Sequence, residues 1–70
     1  MKLLTAIQKA NKKAEQSHGA VRCFIHRKNG QEKSYHSGWI EVELDCVRID
    51  GQFSTEDLLA NDWILEEDVV

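Results

Sequence analysis

Arg22, His26, Arg27, Lys28, Lys33 and His36 fall within fifteen residues of one another, interleaved with Phe24, Tyr35 and Trp39. Guanidinium groups hold phosphate oxygens bidentately and aromatic rings stack on bases, so this combination suits a nucleotide or another phosphate-bearing ligand. The same residues have a plainer use. Arg22 can pair across a sheet with Glu41, Glu43 or Asp45 while Phe24 and Trp39 pack. Both uses require the segment to be a β-hairpin, which the alternation of Arg22, Phe24 and His26 with Val21, Cys23 and Ile25 supports.

Other residue types that could do chemistry lack the arrangement it needs. His18, His26 and His36 do not have the close paired spacing of a zinc helix, and Cys23 and Cys46 form no paired Cys motif. Glu41, Glu43 and Asp45 share one face of a strand, but alternate positions stand about 6.6 Å apart, too far to surround one cation unaided. Ser17-His18 and His36-Ser37 are adjacent pairs, whereas a nucleophile and its base need a spatial pose and a third orienting group. No GxxxxGK[ST] phosphate loop is present. The sequence therefore predicts a binding protein with no cofactor and no metal rather than an enzyme.

The elements that would position these residues can be read in order. Leu3, Ile7, Ala10 and Ala14 recur at helical spacing, which predicts an amphipathic helix over 3–16, with Gly19 in the left-handed position after it. A strand over 20–27 leads to Asn29-Gly30, a tight-turn pair, and returns through 31–37. Residues 39–49 read as the longest strand, with Ile40, Val42, Leu44 and Cys46 on one face and a bulge, a bend, or burial of that end against another element where Val47 and Ile49 switch sides. Asp50-Gly51 marks a turn, and a meander of three or more short strands results if Gln52-Phe53 begins a short return. Ser54 or Thr55 caps a helical turn through Leu58 and Leu59, and Ser54-x-x-Asp57 is a relative of the capping box. Trp63, Ile64 and Leu65 form a last short strand, from which Glu66 to Asp68 pass into solvent. The expected fold is a single α+β domain over 1–70: an N-terminal helix, a small mostly antiparallel sheet, and a short helical turn before a C-terminal strand. Leu58, Leu59, Trp63 and Ile64 are the expected structural or interface residues, with Trp63 anchoring the helical turn onto the sheet.

Seventy residues bury only about 60% of the surface of the unfolded chain, so the core is thin and association with further copies is expected. Cys23 and Cys46 lie in apolar segments and are expected to be buried thiols. No apolar run approaches the roughly 20 residues that span a bilayer, so a cytoplasmic protein without membrane contact is expected. Charge is divided sharply: residues 1–33 hold eight of the nine Lys and Arg against two carboxylates, and the remainder holds one arginine against ten. The formal net charge of -3 hides that split and lowers the expectation of nucleic-acid binding.

The segment Ser54 to Leu65, with Ala60-Asn61-Asp62-Trp63 after the apolar Leu58-Leu59, resembles the closing signature of a small phage and prophage domain family. Leu3-Leu4-Thr5-Ala6-Ile7-Gln8-Lys9-Ala10 is similar to its short N-terminal helix. That family includes anti-Thoeris proteins that bind and sequester cyclic nucleotide immune signals, and members that act against other bacterial defences. Where members place Arg-x-x-Trp or Arg-x-Gly-Trp after the first helix, this chain has Arg22-Cys23-Phe24, and its Gly38-Trp39 pair comes later. The resemblance implies a phage-encoded, non-enzymatic homo-oligomer that sequesters a cyclic nucleotide or related phosphate-containing signal between subunits, in the cytoplasm of an infected bacterium. Arg22, Arg27, Lys28 and Lys33 would neutralise phosphate and Tyr35 or Trp39 would pack on a base or ribose, with His36 beside them. The alternatives are a small acidic inhibitor of a host or defence protein, acting through Glu41, Glu43, Asp45 and the acidic tail, and a nucleic-acid-binding module using the basic half.

Overall fold

Three alanines at helical spacing determine how the first element packs. In the computed structural model, which describes residues 1–28 and 38–69, helix α1 spans Leu3–Gln16 and buries Ala6, Ala10 and Ala14 completely. Small side chains along that stripe let the helix lie close to the sheet, with Leu3 and Ile7 half-buried beside them. The chain leaves α1 through His18 (φ 54°) and Gly19 (φ 86°), and the Gly19 N–H donates to the Ala14 carbonyl at 2.9 Å. The Ser17 hydroxyl donates to the same carbonyl and accepts from Val21 N–H at 3.0 Å, so the turn delivers the chain directly into the sheet.

Strands β1 (Val21–Arg27), β2 (Trp39–Glu43), β3 (Cys46–Asp50) and β4 (Trp63–Val69) form one antiparallel sheet in the order β3-β2-β1-β4, with helix α2 (Thr55–Leu59) before β4. This is the expected α+β architecture. Cross-strand rows on the helix side run Ile49, Ile40, Ile25, Leu65 and Val47, Val42, Cys23, Glu67. Their inner members join Ala6, Ala10 and Trp63 in the core, with Phe53 packed against them. Helix α1 lies over β1, β2 and β4, and no helix among the described residues is long and apolar enough to cross a membrane.

The sequence reading fails at four places. The expected strand over 39–49 is a hairpin: Leu44-Asp45 forms a two-residue turn, with Asp45 at φ 59°, and Glu43 pairs with Cys46. Reversal at that turn places Val47 opposite Val42 and Ile49 opposite Ile40, so the switch of apolar face marks a turn rather than a bulge. Cys46 consequently sits on an exposed strand, and only Cys23 of the two free thiols is buried. Gln52-Phe53 is not a strand; the Phe53 ring instead sits 5.5 Å from that of Trp63. Glu66 to Asp68 expose their side chains but remain in β4, hydrogen-bonded to β1. The expected turn at Asn29-Gly30 and the return through 31–37 lie outside the described residues.

Ser54 caps α2 in both directions. Its hydroxyl accepts from Asp57 N–H at 3.1 Å, and the Asp57 carboxylate accepts from Ser54 N–H at 2.9 Å, so aspartate closes the box that more often contains glutamate. Trp63, 1% exposed, donates from its indole Nε1 to the Asp57 carbonyl at 2.9 Å and so fastens the helix to the sheet. Leu58 and Leu59 contribute nothing to the core: they are 48% and 77% exposed. Ile64 is half-buried on the opposite side of β4 from Trp63.

Candidate functional site

Strand alternation divides the polar residues into two groups. On the sheet face away from α1, β1 presents Arg22, Phe24 and His26, β2 presents Trp39, Glu41 and Glu43, β3 presents Arg48 and Asp50, and β4 presents Ile64, Glu66 and Asp68. Arg22 is the centre of this face. Its guanidinium lies over the Phe24 ring, 5.1 Å from the centroid, a cation–π geometry. One terminal nitrogen approaches Asp68 at 3.3 Å, and the other approaches Glu43 at 3.9 Å and Glu41 at 4.0 Å. Arg48 also reaches Glu41, at 3.9 Å.

Glu41 is buried on this face. A hydrogen bond shared with Glu43, its own burial and the Glu43 charge push its carboxyl above the usual range, against the opposing pull of Arg48 and Arg22. His26 is buried as well. Its Nδ1 lies 3.2 Å from the Arg27 carbonyl and its Nε2 lies 3.3 Å from the Glu66 carboxylate, so both ring nitrogens face acceptors.

The second group forms at the end of β1. Arg27 donates to Asp57 at 2.5 Å and to both oxygens of Asp62 in a fork, and its side chain is only 15% exposed. Lys28 N–H donates to the Asp62 carbonyl at 3.0 Å, and Trp63 N–H donates to the Met1 carbonyl at 2.9 Å, so α1, β1, α2 and β4 meet here. The Asp57 carboxyl is held low first by the Ser54 backbone donor, then by the Ser54 hydroxyl and Arg27, against the cost of burial. The Asp62 carboxyl is held low chiefly by its hydrogen bonds with Arg27. This cluster is a structural clasp.

Comparison with family models, curated proteins and solved structures returns no match.

Of the residues expected to grip phosphate, the structure brings Arg22 and Trp39 to one face, with Phe24 and His26 between them. Arg27 lies on the other side of the sheet and is already held by two carboxylates. Arg22 is likewise surrounded by carboxylates, whereas Lys28 is exposed. Lys33, Tyr35 and His36 lie outside the described residues. Glu66 and Asp68, expected as an acidic tail, lie beside His26 and Arg22, and Asp57 and Asp62, whose meeting with Arg27 was not expected, hold it. For the first pair a signal was available: Ile64, Glu66 and Asp68 recur at strand spacing and so share a face. Among the described residues, no three His, Cys, Asp or Glu side chains are arranged to hold a metal ion.

The carboxyl shifts have opposite consequences for stability. Asp57 and Asp62 have depressed folded values, so their contribution is present above the unfolded carboxylate range, near 3.9, and is lost as pH falls through the folded values. Glu41 runs the other way: its contribution is complete below its ordinary value of 4.5 and is lost as pH rises through the raised one. Asp62→Asn is expected to flatten the fall in Tm below about pH 4, and Glu41→Gln the drift above it. Thermal unfolding followed from pH 2 to 7 checks both; an unchanged acid limb in Asp62→Asn would show that the clasp contributes no stability.

Proposed function

We propose that the chain is a non-enzymatic binding module whose open sheet face docks on a basic protein surface, as a small acidic inhibitor of a host or defence protein would. The observation that carries this reading is the composition of that face. Among the described residues, Glu41, Glu43, Asp50, Glu66 and Asp68 outnumber Arg22 and Arg48, and both arginines lie among carboxylates. Asp50, Glu66 and Asp68 are exposed on the two outer strands while Phe24 and Trp39 are half-buried on the inner ones, so the face offers apolar contact beside charge that steers approach. The setting proposed is the cytoplasm of an infected bacterium.

Capture of partners from bacterial lysate, at low and moderate salt, is the direct test. The wild-type chain is expected to enrich a basic protein whose retention falls with salt, and the double variant Glu66→Lys/Asp68→Lys is expected to lose it. Absence of any enriched protein at both salt levels, or equal capture by the variant, would reject the proposal.

Sequestration of a cyclic nucleotide between subunits is the second reading. It draws on the resemblance of the chain ends and on Lys28, exposed where β1 ends. Calorimetry against cyclic dinucleotides and cyclic ADP-ribose variants, followed by heat release of the ligand, separates the two. Recovery of intact ligand supports sequestration; no binding across the panel removes it.

A further inference from the structure

Among the described residues, strand β3 ends the sheet on one side, all five of its residues are exposed, and α1 packs chiefly on β1, β2 and β4. On the helix side of this edge, Val47 is 51% and Ile49 63% exposed, although their row neighbours Val42 and Ile40 are buried. The ion pair between Lys13 and Glu67 places that flank of α1 above β4. Leu4 and Ile7 occupy the opposite flank and so look toward β3, where Leu4 is 67% exposed. An apolar ledge thus borders a strand edge that no described residue pairs with. Natural sheets blunt such edges unless something pairs with them.

From this edge we infer that β3 pairs antiparallel with β3 of a second copy of this chain, about a two-fold axis through Ile49, joining two sheets into one. Three observations select this occupant and register. The turn at Leu44-Asp45 closes with Glu43 opposite Cys46, so Cys46, Arg48 and Asp50 direct their backbone groups to β2, and Val47 and Ile49 direct theirs outward. Ile49 can therefore exchange both main-chain hydrogen bonds with its own counterpart. With Ile49 on the axis, Arg48 of each copy faces Asp50 of the other on the open side, giving two opposite-charge pairs. Centring on Arg48 would instead oppose two guanidinium groups, and centring on Val47 would set Asp45 against Ile49. The other edge is unsuited to self-pairing, because β4 would confront Glu66, Glu67 and Asp68 with the same residues.

On the helix side, the two-fold brings both copies of Ile49 together and places both α1 helices on one side of the joined sheet, with Leu4 and Val47 lining the space between them. This gives the association expected of a thin core a definite location. It also goes beyond the proposed docking function, since edge pairing leaves the acidic face open, and either can fail without the other.

Sedimentation velocity over a concentration series tests the pairing. The 8.0 kDa chain is expected to form a dimer. Ile49→Lys, which sets like charges together on the axis, and Arg48→Asp, which sets Asp against Asp50, are each expected to weaken the dimer by about tenfold or more. The exchanged pair Arg48→Asp/Asp50→Arg is expected to restore it to within about threefold of wild type, which a loss of folding could not produce. In a Cys46→Ser background, Ile49→Cys is expected to form a disulfide-linked dimer on oxidation, because directly opposed strand residues lie within disulfide reach. A chain that stays at 8.0 kDa at all concentrations would overturn the inference. So would an oligomer indifferent to Ile49→Lys, or failure of the charge exchange to restore association.

Discussion

Trp63→Ala is expected to leave the chain largely unfolded at 25 °C. Trp63 is the largest fully buried side chain, and it joins three parts of the molecule: its ring meets Phe53, its indole N–H meets the Asp57 carbonyl, and its backbone pairs with Arg27 and Met1. Truncating a buried tryptophan costs about 3 to 5 kcal/mol, and a single core in a chain of this length rarely supplies more than about 3 to 5 kcal/mol in all. Trp63→Phe separates packing from hydrogen bonding. It keeps an aromatic ring against Phe53, gives up the indole donor, and is expected to cost about 1 kcal/mol beyond the lost volume. Urea denaturation followed by circular dichroism measures both variants, and a cost below about 1 kcal/mol for Trp63→Ala would contradict its place at the centre of the core.

Gly38→Ala is the second large effect, and Gly19→Ala is its control. The two glycines have almost the same left-handed backbone, φ 90° and φ 86°, so the conformational penalty for a side chain is similar. Their surroundings differ. At Gly19 an added Cβ meets the end of the Leu44 side chain at 3.3 Å, which can swing aside. At Gly38 it would lie 2.1 Å from the Asp50 carbonyl oxygen and 2.8 Å from Gly51 Cα, backbone atoms that cannot move without opening the Trp39–Asp50 end of the hairpin. Gly19→Ala is therefore expected to cost about 1 kcal/mol and Gly38→Ala several times more. Amide exchange at Arg48 and Asp50, whose backbone groups point to β2, is expected to accelerate in Gly38→Ala alone; equal protection in the two variants would rule out the close approach of the chain at Gly38.

Features settled by neighbouring residues were legible in the sequence. Spacing placed α1 from Leu3 to Gln16, alternation placed Val21, Cys23 and Ile25 on the buried side of β1, and Ser54 with Asp57 announced the start of α2. The turn at Leu44-Asp45 was not legible because it holds no glycine or proline, Asp45 continues the alternation of Glu41 and Glu43, and an apolar leucine reads as a continuation of the strand. Its trace was the change of face at Val47. The partners of Arg27 were hidden for a different reason. Asp57 and Asp62 lie 30 and 35 residues away, and local spacing cannot choose among ten carboxylates in the second half of the chain. A guanidinium next to aromatic residues suits a ligand and a structural carboxylate equally well until the fold supplies the carboxylate.

The position of β1 between β2 and β4 gives the division of charge a practical meaning. The basic first part supplies one helix and the central strand, while the acidic second part supplies the three strands that need this centre. Lys13 with Glu67, Arg22 with Asp68, and Arg27 with Asp62 are all contacts between the two parts. The molecule is thus built as a complementary pair of pieces. Cleaved between Lys28 and Gly38, the fragments would carry opposite charge and interlocking strands, the requirements for a split protein that reassembles on mixing and comes apart in salt.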